Sequence, residues 1–258
     1  MYGICILNIV PCRKKPSDKS EMVTQLLFGE LFKILGKKKS WYKIKCTYDD
    51  YQCWIDKKQC HEISLQTYNK LNIATITCAS NIIQVISNKS KNITFPITIG
   101  SNLPNFEKNK CSIENRKFIL ESQVNNKIHN SLNDSIVSAA RIFINAPYLW
   151  GGRSPFGIDC SGFSQLVFKL NGIKLKRDAS QQAKQGSLLN GIENAQPGDL
   201  AFFENDKGKI VHVGIILKKN QIIHACGKVR IDNYDHYGIF NREIKKHSHK
   251  LKFIKRII

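Results

Sequence analysis

One segment of the chain joins a glycine- and proline-rich loop to the start of a helix. Residues 148–163 read YLWGGRSPFGIDCSGF, and an apolar helical pattern of Phe163, Leu166 and Val167 follows Cys160 at once. At the first turn of a helix, unpaired backbone N–H groups and the helix dipole stabilise a thiolate. The sequence therefore predicts that Cys160 begins a helix and is a candidate nucleophile.

Two histidines further along the chain lie in apolar runs typical of β-strands. His212 lies in VHVG and His224 in IIHA, and adjacent antiparallel strands at this spacing can place both side chains on one face. Cysteine catalysis needs a thiolate, an imidazole within hydrogen-bond reach and a third group that orients the imidazole. We therefore interpret Cys160 as the nucleophile of a cysteine hydrolase, His212 as its general base and His224 as the orienting residue.

A zinc site is the competing interpretation of Cys160, His212 and His224. No carboxylate or fourth ligand is indicated beside them, and no C-x-x-C pair occurs among the nine cysteines. The sequence therefore predicts no metal and no cofactor.

The charge of the chain does not by itself indicate a nucleic-acid partner. Its 258 residues have an ordinary globular composition, 42% hydrophobic and 23% charged, but a formal net charge of +20. The lysines are scattered, and no arginine-rich arm or aromatic-basic recognition motif accompanies them. We attribute the charge to solvated surface lysines and predict no nucleic-acid partner; attraction to an anionic polymer is a weak secondary effect that the charge leaves open.

The cysteines and the N-terminus favour a cytoplasmic location over an exported or periplasmic one. The cysteines form an odd set without tight paired spacing, which suits a reducing compartment. No basic stretch precedes the apolar residues 1–10, and Cys12 lacks the small residues expected before a lipidated cysteine. No apolar run reaches the roughly 18 residues of a membrane span, so none is predicted.

Strand-like runs separated by turn signals fill the first half of the chain. Over residues 1–63 they predict a small β-barrel. Over residues 70–122 further β-type runs at 73–78, 82–86, 93–99 and 117–120 predict a second, degenerate barrel of the same kind or a plain β domain.

Helical patterns precede strand patterns in residues 130–258. One helix begins at Ser131, the next at Cys160 and a third at Asp178. Residues 211–217 and 221–225 then form a hairpin-like pair, and a solvated basic turn over residues 245–250, with His247 and His249, precedes the last strand. This order predicts an α+β domain.

Five ordered blocks in residues 130–256 carry a resemblance to a known family. The blocks are YLWGG (148–152), DCSGF (159–163), PGDL (197–200), HVG (212–214) and IHA (223–225). They resemble the NlpC family of papain-like cell-wall cysteine peptidases. The resemblance implies a papain-like α+β fold, with helices packed on an antiparallel sheet, and cleavage of peptidoglycan stem peptides between γ-D-glutamate and a diamino acid. It implies the same roles for Cys160, His212 and His224.

The first 63 residues resemble a bacterial SH3-like domain. The Gly29-Glu30 turn follows an apolar strand, Trp41 opens a strand and Y-x-x-W-I ends the region at Ile55, although Cys53 stands where that pattern usually carries glycine. SH3-like modules before such a catalytic domain resemble the layout of YkfC-type γ-D-glutamyl-L-diamino acid endopeptidases. That layout implies short free murein peptides with an N-terminal L-alanine as substrates.

The same resemblance implies a set of substrate-binding residues: Asp159, Ser161 and Asp178 for the substrate amine or backbone, Glu30 as a carboxylate facing the ammonium, and Tyr148 facing the cleft rather than packing the loop.

Three other functions compete with this interpretation. They are an exported hydrolase of intact peptidoglycan, a non-catalytic wall-binding protein and an acyl-transferring relative. The presence of Cys160, His212 and His224 together argues against the wall-binding protein, and the sequence indicates no long apolar acyl groove.

Overall fold

Two units make up the part of the chain that the structure describes. The computed structural model describes residues 1–123 and 131–258. The chain divides into the compact units 1–127 and 128–258. The predicted boundary at residue 130 lies outside the described residues.

The predicted strands of residues 1–63 are present as one antiparallel sheet. They are β1 Tyr2–Ile4, β2 Ile9–Arg13, β3 Met22–Leu27, β4 Leu31–Lys38, β5 Trp41–Cys46, β6 Gln52–Asp56 and β7 His61–Ile63. Their order in the sheet is β3-β2-β6-β5-β4-β1-β7. Alternate side chains of β2 and β5 are buried, as the period of a strand requires, and Cys12 of β2 lies among them with no exposed surface.

A helix leads from this sheet to a second one. The helix α1 is Leu65–Ile73, and the strands are β8 Ile83–Asn88, β9 Ile93–Thr98, β10 Lys110–Ile113 and β11 Arg116–Leu120, in the order β10-β11-β8-β9. The strand predicted over residues 73–78 is wrong. The Ser64 hydroxyl accepts a hydrogen bond from the Thr67 N–H at 3.0 Å and so caps α1, which continues to Ile73. Residues 74–77 form no regular element, and Cys78 makes only an isolated bridge with Asn102. Residues 73–76 are exposed, so their β-branched alternation has no core to face.

Residues from both sheets pack into one core of the first unit. Ile4 of β1 and Phe28, which follows β3, lie in the same buried cluster as Ile86 and Phe118 of the second sheet. The rings of Phe28 and Phe118 meet edge to face, with centroids 5.3 Å apart. Separate domains over residues 1–63 and 70–122 stay a prediction.

Three described helices of the second unit begin where the sequence predicts them. They are α2 Leu132–Arg141, α3 Cys160–Leu170 and α4 Ala179–Gln182. Ser131 caps α2 by accepting the Asp134 N–H at 3.1 Å, and Asp159 caps α3. Within residues 1–123 and 131–258, the helices lack the length and apolar character that crossing a membrane requires.

The structure describes nine strands in the second unit. They are β12 Arg153–Ser154, β13 Gly157–Ile158, β14 Ser187–Leu188, β15 Leu200–Glu204, β16 Ile210–Lys218, β17 Gln221–Cys226, β18 Lys228–Tyr234, β19 Gly238–Asn241 and β20 Lys246–Arg256. The last six close into a barrel, whereas β12 and β13 form a separate two-stranded sheet and β14 pairs with β20 outside the ring. Each strand from β15 to β19 pairs with the next, and β20 pairs with both β19 and β15. The helix α3 packs against β16 and β17. The predicted α+β fold is confirmed. The closure of these strands into a ring was not predicted.

The last part of this barrel corrects one prediction. The predicted hairpin of β16 and β17 is present, with Lys218 opposite Gln221. The solvated turn predicted for residues 245–250 is wrong, because β20 begins at Lys246 and pairs His249 with Ile239 of β19. Lysines suggested a turn here, but Lys250 instead lies on the strand, where its ammonium pairs with Glu204 at 3.0 Å.

Candidate active site

Close backbone packing holds the loop before α3 against the start of that helix. A Cβ on Gly152 would lie 2.3 Å from the carbonyl oxygen of Gly157. A Cβ on Gly162, in the first turn of α3, would lie 2.3 Å from the carbonyl oxygen of Gly152. A side chain at either position would force the loop away from the helix, so both glycines help to fix the position of Cys160.

A buried carboxylate, Asp159, joins the loop to the helix. Its two oxygens accept the Gly162 N–H at 2.6 Å and the Gly151 N–H at 2.8 Å. The buried guanidinium of Arg177 donates to the same two oxygens at 3.0 and 2.6 Å, and to the Ser161 hydroxyl at 3.0 Å. This bidentate ion pair braces the start of α3. Asp159 and Ser161 thus have a structural role at the start of α3. Their substrate-binding role stays a prediction.

The predicted nucleophile, Cys160, is the first residue of α3 and is 8% exposed. Burial, reinforced by the charge of Asp159, raises the pKa of the Cys160 thiol to about 12. Hydrogen bonds from the backbone N–H groups of Val213 and Ser161 act in the opposite direction but are outweighed. The resting group is therefore a thiol rather than the thiolate expected at a helix start. It lies against the strand that carries His212, and its ionisation needs a base.

The predicted histidines belong to a hydrogen-bonded series across three strands. Nε2 of His212 on β16 lies 2.9 Å from Nδ1 of His224 on β17, and Nε2 of His224 lies 3.0 Å from Oδ2 of Asp232 on β18. Because a carboxylate only accepts, His224 carries its proton on Nε2 and accepts at Nδ1. His212 then donates from Nε2, which leaves the lone pair on its Nδ1 to accept a proton.

Burial keeps both histidines neutral near neutral pH. Burial, with His224 and His249 nearby, lowers the pKa of His212 well below its ordinary value. Burial also lowers the pKa of His224, and the hydrogen bond to Asp232 offsets only part of this effect. A neutral His212 can act as a base at the pH of most cells.

Asp232 is a site residue that the sequence interpretation missed. Arg230 Nε lies 2.7 Å from Oδ2 of Asp232, and its Nη2 donates to Oδ1 at 3.0 Å. Burial acts to raise the pKa of Asp232, but the hydrogen bonds to His224 and Arg230 lower it overall. Arg230 lies opposite His224 in the sheet, so Asp232, two residues on, shares the face of that histidine. This register was the signal that could have identified Asp232.

A third histidine, His249, lies beside the pair. Its ring stacks on that of His212 with centroids 4.1 Å apart and an angle of 29° between the planes. Its Nδ1 lies 2.8 Å from the Ser248 hydroxyl.

The other predicted substrate-binding residues lie in different places. Asp178 is the half-buried cap of α4, and its N–H donates to Oε1 of Gln181 at 3.1 Å. Tyr148 is half-buried, and burial raises its pKa to about 12. Glu30 belongs to the first unit, where its buried carboxylate accepts a backbone N–H at 3.0 Å. Their binding roles stay predictions.

A cysteine at the start of a helix that packs on antiparallel strands, one of which carries a buried histidine, defines the class of papain-like cysteine peptidases. Residues 145–247 match the model of the NlpC/P60 family, and residues 12–59 match the one described as the bacterial dipeptidyl-peptidase SH3 domain. The chain therefore combines an NlpC/P60 cysteine peptidase domain with an N-terminal bacterial SH3-like domain. Both resemblances seen in the sequence are confirmed.

Named relatives match different shares of the chain. It is 26% identical over 234 residues to the gamma-D-glutamyl-L-lysine dipeptidyl-peptidase of Bacillus cereus, which covers 81% of this chain and 68% of that protein. It is 43% identical over 94 residues to the Bacillus subtilis protein of the same name, over 36% of this chain and 31% of that protein. A probable endopeptidase p60 of Listeria seeligeri is 40% identical over 99 residues, 38% of this chain and 18% of that protein. The chain spans less than a third of the last two relatives.

Solved structures share the fold. An NlpC/P60 family protein from Bacillus cereus superposes with a TM-score of 0.83 at 19% identity, over 100% of this chain and 99% of that one. An NlpC/P60 endopeptidase from Photobacterium damselae has a TM-score of 0.70 at 17% identity, over 98% of this chain and 70% of that one.

Proposed function

We propose that the protein hydrolyses the γ-D-glutamyl–diamino acid amide bond of free murein peptides with an N-terminal L-alanine, inside the cell, during recycling of the wall. The observation that carries this proposal is the series from His212 through His224 to Asp232, with the Cys160 thiol against the strand of its first member. The names of the two Bacillus relatives contain the γ-D-glutamyl-L-lysine unit, which supports this choice of bond.

In the proposed reaction, Cys160 is the nucleophile and His212 the general base. Nδ1 of His212 takes the thiol proton while Sγ attacks the carbonyl carbon of the γ-D-glutamyl amide. The same proton then passes to the leaving amine of the diamino acid, and a thioester remains on Cys160. Water activated by His212 hydrolyses the thioester, which releases L-Ala-γ-D-Glu and restores the thiol.

His224 and Asp232 are positioning residues in this scheme. When His212 becomes an imidazolium, its Nε2–H still donates to His224, whose Nε2–H donates to the negative charge of Asp232. The series therefore fixes the tautomer before proton transfer and stabilises the cation after it. Backbone N–H groups near Cys160 are proposed as the donors to the oxyanion that forms during attack.

Recognition of the substrate amine is the second part of the proposal. Asp178 and Tyr148 are only half-buried and can contact a bound peptide. Asp159 and Ser161 are proposed to bind the substrate amine or backbone as well. Arg177 donates to both of their side chains and so holds them in position.

Three substrates test the proposal. The purified protein is given L-Ala-γ-D-Glu-L-Lys, its N-acetylated form and intact sacculi, and amine release is measured. We expect the free tripeptide to be cut fastest. Equal rates on the acetylated peptide would refute recognition of the ammonium. Preferred release from sacculi would favour the exported hydrolase of intact peptidoglycan, and no hydrolysis by folded protein would favour a wall-binding role.

Alanine substitutions at the two histidines should have unequal effects. His212→Ala removes the base and should lower kcat/KM by about 10³-fold or more, whereas His224→Ala removes an orienting partner and should cost about 10- to 100-fold. Steady-state kinetics on the tripeptide measure both, with His236→Ala, an exposed histidine, as the control. Equal or reversed losses would contradict the assigned roles.

Asp232→Asn should lower kcat by about 10-fold or more with little change in KM. An asparagine amide can donate to Nε2 of His224, which moves the proton of that ring to Nδ1 and reverses the tautomer of His212. The matched control is Asp235→Asn, since Asp235 also bonds a histidine, His247 at 2.9 Å, away from the site. A kcat for Asp232→Asn equal to that of the control would show that the carboxylate does not set the tautomer.

A further inference from the structure

Three imidazoles meet at one point of the barrel in the second unit. One ring nitrogen from each of His212, His224 and His249 lies within 4.8 Å of the other two. The facing atoms of the first pair are Nε2 of His212 and Nδ1 of His224, at 2.9 Å. Nδ1 of His249 bonds the Ser248 hydroxyl, so its Nε2 is the nitrogen available to a ligand.

We propose that these three histidines form an inhibitory site for one divalent transition-metal cation, of which Zn²⁺ is the best match. Imidazole nitrogen is a preferred ligand of Zn²⁺, and three histidines with one open position are a known coordination set. Binding at this site does not depend on the proposed peptidase function. The inhibition that follows from it does.

The facing nitrogens of His212 and His224 suit a tetrahedral ion after a small adjustment. Zn–N bonds of about 2.0–2.1 Å place two ligand nitrogens about 3.3 Å apart. The His212 and His224 nitrogens therefore need to separate by a few tenths of an ångström. His249 must also turn out of its stack on His212, because an imidazole lone pair lies in the ring plane and two nearly parallel rings cannot direct theirs at one ion. Its side chain is half-buried near the start of the long strand β20.

The surroundings already supply the outer contacts of a metal site. Metal-binding histidines usually donate their second N–H to a carboxylate, which fixes the ring and its tautomer. Nε2 of His224 bonds Asp232 at 3.0 Å, and Arg230 holds that carboxylate in turn. His224 thus presents Nδ1 to the ion without any rearrangement of its outer partner.

The ion would block catalysis through the tautomer of His212. A cation on Nε2 requires the ring proton to lie on Nδ1, because a neutral imidazole carries one proton. Nδ1 is the nitrogen assigned to accept the proton of Cys160. A metal-bound His212 therefore has no lone pair for the thiol, and no proton is gained or lost overall when the neutral ring changes tautomer.

Calorimetric titration with ZnCl₂ under reducing conditions tests the site directly. We expect one Zn²⁺ per chain for the wild type. His249→Phe keeps a ring against His212 but removes the ligand, and should weaken binding by at least about 10-fold. The matched control is His247→Phe, on the same strand but bonded to Asp235, which should bind as the wild type does. Equal affinities of the two variants would overturn the proposal.

Two additional measurements distinguish binding at the histidines from binding at the thiol, and binding from inhibition. Cys160→Ala should keep the binding, and its loss would show that the thiol rather than the histidine cluster holds the ion. Tripeptide hydrolysis by the wild type should fall on addition of Zn²⁺ and recover with EDTA, whereas His249→Phe should need higher Zn²⁺ for the same loss. Turnover that persists with the site saturated would overturn the inhibition. Zinc binding by a protein without peptidase activity would uphold the site and count against the proposed function alone.

Discussion

Replacing Cys160 by alanine abolishes turnover of the tripeptide and leaves the protein folded. Without sulfur no thioester can form, so kcat/KM should fall by about 10⁴-fold or more. The substitution removes a single heavy atom, so the free energy of unfolding should change by no more than about 1 kcal/mol. Tripeptide hydrolysis and thermal unfolding, measured on the same preparation, give the two values.

The matched control for this variant is Cys226→Ala. Cys226 ends β17 in the same unit and is half-buried, but the proposed reaction does not use it. It should keep the wild-type rate. Residual activity of Cys160→Ala near that of the control would mean that another of the free cysteines is the nucleophile.

Replacing Arg177 by methionine destabilises the second unit by about 3–5 kcal/mol, because Asp159 is left buried without its ion-pair partner. Arg177 and Asp159 are 1% and 9% exposed at their side chains, and two hydrogen bonds join them. Methionine keeps much of the apolar volume, so the loss reports on the charge rather than on a cavity. Calorimetry should show a lower unfolding temperature for the second unit. Activity should fall with it, since Asp159 holds the helix start beneath Cys160.

Arg242→Met is the matched control, because Arg242 is exposed. It should change the free energy of unfolding by less than about 0.5 kcal/mol. If Arg177→Met unfolded at the same temperature as Arg242→Met, the ion pair would not contribute to the stability of the second unit.

The sequence was sufficient to predict the parts of the site that depend on local pattern. Cys160 begins α3 because Asp159 caps it and an apolar face follows, and both features are visible in the sequence. His212 and His224 share a face because a tight hairpin connects their strands, a geometry that short loops impose.

The residues that were missed depend on register and on ring closure. Asp232 reaches His224 only because β18 pairs with Arg230 opposite that histidine. His249 reaches His212 only because β20 closes the barrel between β15 and β19. Neither pairing follows from composition, and the lysines around His249 led to the prediction of a solvated turn. Arg177 was missed because a buried arginine is identified by its partner, Asp159, and not by its neighbours in sequence.

In the first unit, tertiary packing decided what local preference left open. The strand predicted over residues 73–78 is absent, because α1 ends at Ile73 and residues 74–77 form no regular element. The helix instead places Tyr68 and Leu71 in the shared core. The strands β8, β9 and β11 were predicted from runs of β-type residues at these positions. The short strand β10 was not predicted.

The most direct test is to identify the bond that the wild-type protein cuts. Mass spectrometry of the products from L-Ala-γ-D-Glu-L-Lys and from its meso-diaminopimelate counterpart should show L-Ala-γ-D-Glu and the free diamino acid. Both products should be absent when Cys160→Ala is used. Release of alanine instead, or identical products from the alanine variant, would contradict the account.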